Sequence, residues 1–556
     1  MKKTFLLSCL MLAAMPVMAA YTGHVYVDKN KNGVFDQSEK PLAGIKVSDG
    51  LNVVETAADG SFTLPGHERE RFIFITTPSG YKTFNRHYHK IEKKQSGYDF
   101  DLIPYSGRIR KDGSHRYIHI TDTEIFNTEN HADWVNNVHD YARNEQAAFI
   151  IHTGDICYEK GLKAHIKLMN TENMDCPVFY CIGNHDLVKG KYGEELFESI
   201  YGPVYYSFDA GNVHYVVTPM PGGDHAPGYT SDDVCRWLKN DLTHIRPGTP
   251  VVVFNHDLLT YEDTFIFKSK NAGSINLNEY NLKAWVYGHW HINYMKKQGD
   301  VYSVCTSSLD KGGIDHSTTA FRVMHVDSKG DFTSELRYTY LDKNICIASP
   351  AGVMASGVLP VAVNVYSSVS PVREVLYTCL ADGKPVLKNK RLLQSTDWSW
   401  NGELPLSHKY VGKELTLRVT ARFNNGEIAE AESNFICRTE KTVPLFSADW
   451  DNLSGNAKHS APVSAPLNLP LQLAWTNNVG ANLYMTSPLI HKGKVIVASV
   501  DEDLKGAGHV YALNGKDGTI LWSCPVRNSI KNSIAVDSDI VFALSLIHIS
   551  EPTRRS

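Results

Sequence analysis

The sequence has no surplus of either charge, no cysteine framework and, beyond its N-terminus, no long apolar run. Its 56 basic and 60 acidic side chains give a net charge of −4 over 556 residues. Proteins that coat nucleic acids or anionic membranes carry a basic surplus, so this balance argues against both classes. A hydrophobic content of 42% with 21% charged residues also excludes disordered and coiled-coil chains.

Ten cysteines are present, without a CxxC pair or a regular spacing. Removal of a leader containing Cys9 would leave an odd number of nine. A disulfide framework is therefore not expected, and buried free thiols are the simpler interpretation. Cys176 and Cys181 are near enough in sequence to pair, so that single bridge stays open.

The N-terminus has the pattern of a secretory leader. Two lysines precede an apolar run from Phe5 to Ala20, and Val17-Met18-Ala19 fits a signal-peptidase site. We predict that residues 1–20 are a signal peptide and that the protein is exported to the periplasm, cell surface or medium. A lipoprotein is the less favoured alternative, because the apolar segment before Cys9 is short. No later run of about 18 apolar residues predicts a transmembrane segment.

The rest of the chain changes pattern three times. Residues 21–105 alternate short strands with turns, which predicts a small all-β domain. Residues 110–342 alternate apolar strands with amphipathic stretches at Asp133–Asn144 and Ser231–Leu242, an α/β pattern. Residues 347–440 return to β alternation. The prediction is a multidomain chain with a central α/β domain flanked by all-β sandwich domains.

The last part of the chain repeats itself. Trp475 and Trp522 close similar segments 47 residues apart, a period close to that of propeller blades. With its DG turn and closing Trp, the stretch from Gly508 to Trp522 resembles a blade of the quinoprotein (PQQ-type) β-propeller family. Two blades cannot close a ring, so residues 445–543 are predicted to be an incomplete propeller fragment without PQQ and with an unknown partner. Residues 544–556 resemble a translated sequencing adapter and are predicted to be non-native.

Five predicted strands of the α/β region end in side chains that bind metals. They run into Asp122, Gly154-Asp155, Gly183-Asn184-His185-Asp186, His256 and Gly288-His289-Trp290-His291. Because open α/β sheets place their sites beyond the carboxyl ends of strands, we expect these groups to converge. Carboxylate, amide and imidazole ligands suit transition metals such as Mn, Fe and Zn. Each motif alone is a weak signal, and the prediction depends on all five occurring in this order.

This order of motifs resembles the calcineurin-like metallophosphoesterase superfamily over about residues 115–340. The resemblance implies a layered α-β-β-α domain that holds two divalent or mixed-valence metal ions. It implies six ligands. Asp155 would bridge the two ions, Asp122 and His291 would complete one site, and Asn184, His256 and His289 would complete the other.

The resemblance also implies catalytic roles. His185 would contact the phosphoryl oxygen and protonate the leaving group, with Asp186 holding its imidazole. Two cations about 3.5–4 Å apart neutralise a phosphate and lower the pKa of water, which allows attack by metal-activated hydroxide. The expected activity is hydrolysis of phosphate mono- or small diesters of a small molecule or envelope component. Nucleic acid is not expected as a substrate, because no basic track is present.

The first motif departs from the Asp-x-His pattern of the superfamily. Asp122-Thr123-Glu124 lacks the imidazole, so either Glu124 takes a different role or another residue supplies the ligand. Tyr158 is the candidate, since residues 154–158 resemble the GDxxY motif of purple acid phosphatases, whose Tyr binds ferric iron. Packing of Tyr158 beside the site without binding is the equal alternative. The departure also keeps open a catalytically impaired domain in a binding or scaffolding protein of the cell envelope.

A second metal signal lies in the first domain. Residues 28–39 have the D-x-N-x-N-G-x5-E spacing of calcium loops. The predicted ligands are Asp28, Asn30, Asn32, Asp36 and Glu39. No helices are predicted around the loop, and with the following strand it resembles the B-type repeats of bacterial surface proteins. Structural calcium is the favoured interpretation, and a solvated Asn/Gly turn is the alternative.

Overall fold

A computed structural model describes residues 20–439, 449–456, 458–460 and 473–545. The chain is multidomain and strand-rich, as predicted, with 39% strand and 11% helix. The predicted signal peptide, apart from Ala20, lies outside the described residues, as does the predicted non-native tail apart from Leu544 and Ser545. Within the described ranges, no helix is long and apolar enough to cross a bilayer.

The N-terminal region consists of two small sheets. Its strands are β1 (Tyr21–Val27), β2 (Lys40–Pro41), β3 (Lys46–Ser48), β4 (Val53–Glu55), β5 (Ser61–Leu64), β6 (Phe72–Ile75), β7 (Tyr81–Thr83), β8 (Tyr88–Lys90) and β9 (Phe100–Pro104). One sheet has the order β2-β1-β9-β7 with β5 paired to β1, and the other has the order β4-β3-β6-β8. Val25 and Phe100 of the first sheet share a buried apolar cluster with Val47 and Ile73 of the second.

The central region alternates strands and helices. Its first half contains β10 (His115–Ile120), α1 (Ala132–Asn144), β11 (Phe149–His152), α2 (Tyr158–Leu168), β12 (Val178–Tyr180), α3 (Glu195–Tyr201), β13 (Tyr206–Ala210) and β14 (Val213–Val217). Its second half contains α4 (Ser231–Thr243), β15 (Val251–Phe254), β16 (Ile266–Phe267), β17 (Ile275–Asn276), β18 (Leu282–Tyr287), β19 (Tyr294–Gln298), β20 (Val301–Cys305), β21 (Ala320–Val326) and β22 (Phe332–Tyr338). These strands form a five-stranded sheet, β12-β11-β10-β21-β22, and a six-stranded sheet, β13-β14-β15-β18-β20-β19.

Aromatic rings fill the space between these two sheets. Tyr117 of β10 stacks on Phe149 of β11 with 4.7 Å between ring centroids. Tyr215 of β14 meets Tyr117 edge to face at 5.6 Å and stacks on Phe254 of β15 at 5.7 Å. Such pairs add to the energy of apolar burial, so this core fixes the sheets against each other. Their carboxyl-terminal strand ends are thereby held in one place.

Helices α1 and α4 form where the apolar periodicity predicts them, whereas α2 and α3 were not predicted. The buried residues of α1 recur at helical spacing, with Trp134, Val138 and Tyr141 facing the five-stranded sheet. Helix α4 begins at a capping box, in which Thr230 Oγ1 accepts from the Asp233 amide and Asp233 Oδ2 accepts from the Thr230 amide. Both helices match the predicted ranges to within one residue at each end.

The next region is all β. It contains β23 (Asn344–Ser349), β24 (Gly352–Ala355), β25 (Val358–Tyr366), β26 (Val372–Ala381), β27 (Lys384–Arg391), β28 (Leu393–Gln394), β29 (Ser399–Pro405), β30 (Glu414–Phe423) and β31 (Ile428–Arg438). The two sheets have the orders β23-β25-β29-β28 and β24-β31-β30-β26-β27. Val363 and Trp400 of the first sheet lie in one buried cluster with Val375 and Leu417 of the second.

The last described segment forms one antiparallel sheet and a strand pair. Its strands are β32 (Leu489–His491), β33 (Lys494–Ala498), β34 (His509–Asn514), β35 (Ile520–Pro525), β36 (Ala535–Asp537) and β37 (Ile540–Phe542). The sheet order β32-β33-β34-β35 follows the chain, and β36 pairs with β37. Trp475 donates from Nε1 to the Gly515 carbonyl at 2.9 Å. The assignment of this segment to a propeller stays a prediction.

The nine described cysteines are free, and most are buried. Cys176 belongs to the cluster between the five-stranded sheet and its helices, whereas Cys181 belongs to the cluster between the two sheets. Their side chains therefore lie in different apolar cores, and the bridge left open between them does not form. Free buried thiols are the observed state, as the irregular spacing predicts.

Candidate metal centre

The predicted ligands follow strands whose carboxyl ends meet at one edge. β10, β11 and β12 run parallel in one sheet, and β15 and β18 run parallel in the other. Each strand ends two to four residues before a predicted ligand. The ligands in chain order are Asp122, Asp155, Asn184, His256, His289 and His291.

Short contacts join these side chains into one cluster. Asp155 Oδ2 lies 3.2 Å from His256 Nε2, and Asp122 Oδ1 lies 3.3 Å from His291 Nε2. One ligand atom each of Asp155, His256 and His289 lies within 4.8 Å of the others. The structure thus brings one carboxylate and two imidazoles close enough together to bind a single metal ion.

Three atoms of this cluster are buried without a hydrogen-bond partner. They are Asp122 Oδ1, Asn184 Oδ1 and His256 Nε2. Leaving a buried polar atom unsatisfied costs about 1–3 kcal/mol, so three at one site need an explanation. Each is a lone-pair donor of the type that transition metals accept. The residues therefore fit a metal centre.

The remaining polar atoms of two ligands are already engaged. Asp122 Oδ2 accepts from Thr121 Oγ1 at 2.8 Å and from the His289 amide at 3.0 Å. His256 Nδ1 lies 2.7 Å from the Thr153 carbonyl, which requires the proton on Nδ1. Nε2 then faces the Asp155 carboxylate, 3.2 Å away. Contacts of this kind orient metal ligands before the metal binds.

The backbone at this edge is in an unusual conformation. Asp122, Asp155, His289 and His291 all have positive φ angles, between 50° and 63°. Left-handed backbone at non-glycine residues costs about 1–3 kcal/mol each and clusters at functional sites. Gly288 is required by close approach, since a Cβ there would lie 1.9 Å from Thr121 Oγ1.

The electrostatic field at the cluster favours a positive charge. Burial alone would lower the pKa of His256, but Asp155 and Asp122 raise that pKa to about 10. Burial alone would raise the pKa of Asp155, but His256 holds it well below its ordinary range. The carboxylates that favour a proton on His256 Nε2 would equally favour a metal cation there.

His185 has a different partner from the one expected. Its Nδ1 lies 2.8 Å from Asp224 Oδ2. Asp186, predicted to hold this imidazole, is buried and accepts three backbone N–H groups instead, from Asp155, Cys157 and Gly183, at 2.8–2.9 Å. The role given to Asp186 is therefore corrected: it holds the loops of the bridging carboxylate and the GNHD motif together, because its side chain points into the backbone turn.

The two candidates for the missing imidazole lie at different places. Glu124 Oε1 is 3.6 Å from His291 Nε2. One ligand atom each of Glu124, Asp155 and Cys157 lies within 4.8 Å of the others. The Tyr158 side chain is 44% exposed, and its ring centroid lies 5.4 Å from that of His185. Glu124 is thus placed beside a predicted ligand, whereas the Tyr158 ring lies beside the predicted acid.

Sequence reasoning missed two residues of the site. Asp224 lies in a Gly-Gly-Asp loop that follows β14, so a carboxylate after a glycine pair at a strand end was the available signal. Lys311 donates to Glu124 Oε2 at 3.0 Å and to the Glu124 carbonyl at 3.1 Å. No local motif marks Lys311, because it reaches the site from a loop 187 residues along the chain.

The predicted calcium loop is closed by hydrogen bonds among its own residues. Asp28 Oδ2 accepts from the Gly33 amide at 2.9 Å. Asn30 and Asn32 both donate to Asp36 Oδ2, at 2.8 and 3.0 Å. Glu39 Oε1 accepts from the Lys29 amide at 2.9 Å. The five residues lie in one turn as the spacing predicts, and calcium binding stays a prediction.

Two family models match this chain. Residues 115–293 match the model described as Calcineurin-like phosphoesterase, which covers the whole ligand set. Residues 29–104 match the model described as N terminal of Calcineurin-like phosphoesterase. The second match links the first β domain to phosphoesterases, whereas the loop pattern alone suggested a surface-protein repeat.

One relative and two solved structures give further comparisons. Purple acid phosphatase 13 of Arabidopsis thaliana is 26% identical over 215 residues, which cover 36% of each chain. The chain therefore spans about a third of the length of this curated relative. A predicted phosphoesterase from Streptococcus pneumoniae covers 41% of this chain and 98% of its own, at 12% identity and a TM-score of 0.20. CopC from Methylosinus trichosporium covers 18% of this chain and 100% of its own, at 13% identity and a TM-score of 0.14.

The two TM-scores are too low to support a statement about the fold. The family models and the purple acid phosphatase similarity agree in chemistry with the metal-ligand cluster. They support a metal-dependent phosphoric ester hydrolase of the calcineurin-like phosphoesterase superfamily.

Proposed function

We propose that this protein hydrolyses phosphate mono- or small diesters at a dinuclear metal centre. The observation that carries the proposal is the set of three buried, unpartnered ligand atoms on Asp122, Asn184 and His256. Asp155 Oδ2 lies 3.2 Å from His256 Nε2 and Asp155 Oδ1 accepts from the His185 amide at 3.0 Å, and the proposal makes this carboxylate the bridge. The metals are Mn, Fe or Zn in this proposal, since the donors are oxygen and imidazole nitrogen.

When bound, the two cations neutralise the phosphate charge and lower the pKa of water. The chain supplies the remaining functions. The residues that would hold the ions are Asp122, Asp155, Asn184, His256, His289 and His291. The Asp155 carboxylate also accepts a hydrogen bond from the His185 amide at 3.0 Å. This bond positions the proposed general acid, His185, next to the proposed bridging ligand, Asp155.

His185 delivers the proton to the departing oxygen in this mechanism. Asp224 accepts from Nδ1 and fixes the orientation of the ring, which leaves Nε2 as the nitrogen that exchanges a proton with substrate. The His185 side chain is 19% exposed, so substrate can reach it. Asp224 therefore takes the orienting role that sequence had given to Asp186.

The test is metal analysis combined with hydrolysis of a phosphate monoester and a diester. We expect close to two transition-metal ions per chain in the active protein, and loss of metal with activity in Asp155→Ala. His185→Ala should keep the metal and lose at least about a hundredfold in kcat. His408→Ala, at an exposed histidine of the C-terminal β region, is the matched control. A metal-loaded protein without hydrolysis would favour the scaffolding alternative instead.

Three finer proposals accompany this function. The protein is exported, on the evidence of the N-terminal charge and apolar pattern. The phosphoesterase region has the α-β-β-α layering, which is supported by helices packed with one sheet and aromatic contacts between the sheets. The C-terminal segment derives from a quinoprotein-type propeller, which is supported by the repeated Trp spacing and an antiparallel sheet in chain order.

A further inference from the structure

A cavity of about 600 Å³, which has no role in the mechanism above, is lined by the two residues that flank the predicted metal ligand His256 in sequence. Its walls are mainly apolar and include Val234 of α4, Leu258, Leu259, Phe267 of β16 and Trp285 of β18. Val234 and Trp285 are almost fully buried, whereas Leu258 and Leu259 are half-buried. Drug-sized ligands bind in cavities of this volume and character.

One wall of the cavity leads to the proposed acid. Pro219 and Pro221 line the cavity, and the same loop continues to Gly223 and Asp224. The Asp224 amide donates to the Asn184 carbonyl at 3.1 Å, and its carboxylate accepts from His185. A Cβ on Gly223 would lie 2.3 Å from the Asn184 carbonyl oxygen, so the loop is pressed against the metal-binding turn.

A second wall leads to a metal ligand. Asn255 and Asp257 line the cavity, and they flank His256 in sequence. Asn255 Nδ2 donates to the Pro219 carbonyl at 3.1 Å, which joins this wall to the first. Asp257 Oδ1 accepts from Trp290 Nε1 at 3.0 Å, within the GHWH motif. Both walls are therefore formed by chain segments that also carry residues of the metal centre.

Three charged residues line the cavity, and one of them, Asp257, is already paired with Trp290 Nε1. Glu262 and Lys268 are both exposed, and they are of opposite sign. The inner walls contribute apolar surface, which favours a neutral, apolar group.

We propose that this cavity receives the leaving group of the substrate, and that the preferred substrates are phosphate esters of neutral, apolar alcohols. The inference rests on the proposed function. In the reaction, the oxygen of water bonds to phosphorus, the ester P–O bond breaks, and the alcohol leaves with a proton while phosphate remains. Methylene groups of the alcohol are removed from water when the ester is bound.

A series of n-alkyl phosphates from methyl to octyl tests the proposal, because the leaving alcohols have similar acidity. The metal-loaded full chain is assayed for phosphate release, with p-nitrophenyl phosphate as the reference substrate. We expect kcat/KM to rise roughly three- to fourfold for each added CH2 until the cavity is filled. A flat series with normal hydrolysis of p-nitrophenyl phosphate would overturn the cavity proposal and leave the proposed function standing. Hydrolysis of none of the esters by metal-loaded protein would overturn both.

Two variants test whether the cavity causes the preference. Ile266→Asp places a charge on its wall at a position that is 37% exposed. Thr264→Trp narrows the cavity from an exposed position by volume alone. Each should lower the octyl-to-methyl ratio of kcat/KM at least tenfold. Ile428→Asp, at a 55% exposed isoleucine of β31, should leave the ratio unchanged. A ratio unaffected by both cavity variants in folded protein would overturn the proposal.

Discussion

At the scale of single residues, the Asp224 carboxylate orients the His185 imidazole for proton transfer. Asp224→Asn replaces a charged acceptor with a neutral amide and should lower kcat by about 10–100-fold with little change in KM. Steady-state kinetics with a phosphate monoester measure kcat and KM of the variant.

Asp186 provides the comparison for this prediction. Asp186→Asn removes acceptor capacity from three backbone N–H groups and should lower stability by about 1–3 kcal/mol in thermal unfolding. Asp224→Asn should leave the melting temperature close to that of the unmodified protein. The opposite pattern, a kinetic defect confined to Asp186→Asn, would restore the role that sequence suggested for Asp186.

Glu124 and Tyr158 make opposite predictions about the first metal site. Glu124 lies within reach of His291 and is paired with Lys311, whereas the Tyr158 ring is 44% exposed. We therefore expect Glu124→Ala to weaken metal binding about 10–100-fold and Tyr158→Phe to retain it. Metal titration of both variants measures this. An iron-loaded protein with a visible absorption band that Tyr158→Phe abolishes would contradict the expectation and identify a tyrosinate ligand.

Much of the candidate site was predictable from the sequence, and the reason is local. The six predicted ligands each follow an apolar strand, and three of them, Asp155, Asn184 and His289, come directly after a glycine, so their type and spacing are visible in short motifs. The orienting residues were not predictable in this way. Asp224 and Lys311 reach the site from loops whose side-chain directions depend on the packing of distant segments.

At the scale of elements, a buried charge group connects two strands and a helix. His214 of β14 lies 2.6 Å from Asp209 of β13 through Nδ1 and 2.8 Å from Asp241 of α4 through Nε2. Lys46 of the first domain also reaches Asp209, at 3.4 Å. Burial alone would lower the pKa of His214, but Asp241 and Asp209 raise it to about 9.

This group predicts a pH dependence of stability. Since the pKa of His214 is higher in the folded state than the unfolded value of about 6.5, its contribution is fully present below pH 6.5. This contribution to the free energy of unfolding is about 3 kcal/mol. It falls as the pH rises and is lost above about pH 9. The melting temperature should therefore decrease between pH 6 and pH 10, and the decrease should be smaller in His214→Gln. Parallel pH curves for the two proteins would contradict the assignment.

Helices that bury only one face were predictable from the spacing of their apolar residues. Helices α1 and α4 each bury one stripe, so their apolar spacing alone defined their ranges. The short strands β16 and β17 carry no such signal, because each is two residues long and, within the described residues, they pair with each other alone. Their existence depends on the loop between β15 and β18 folding over the sheet.

At the scale of the whole molecule, a buried lysine connects the C-terminal segment to the central α/β region. Lys531 Nζ lies 2.7 Å from Asp315 and 2.6 Å from Ser317 Oγ, with Glu502 as a further partner. The Lys531 side chain is 1% exposed. The neighbouring Ile314 amide donates to the His291 carbonyl at 2.9 Å, so this contact adjoins a predicted metal ligand.

Lys531→Met should destabilise the protein by about 3–5 kcal/mol, because two buried carboxylates lose their counterion. Thermal unfolding of the full chain measures the loss, and Lys516→Met, in an exposed turn, should stay within about 0.5 kcal/mol of the unmodified protein. Equal stability of the two variants would show that the C-terminal segment does not dock through Lys531.

The sequence alone determined the classes of chemistry and the order of the regions. Strand ends, glycines and ligand types are properties of a few neighbouring residues, and they are visible without a fold. Only the tertiary structure decided which charges meet. Asp224 lies 39 residues from His185, and Lys531 lies 216 residues from Asp315. A charge pairs with whichever partner packing places within a few ångströms in a region shielded from water, and sequence separation does not encode that distance.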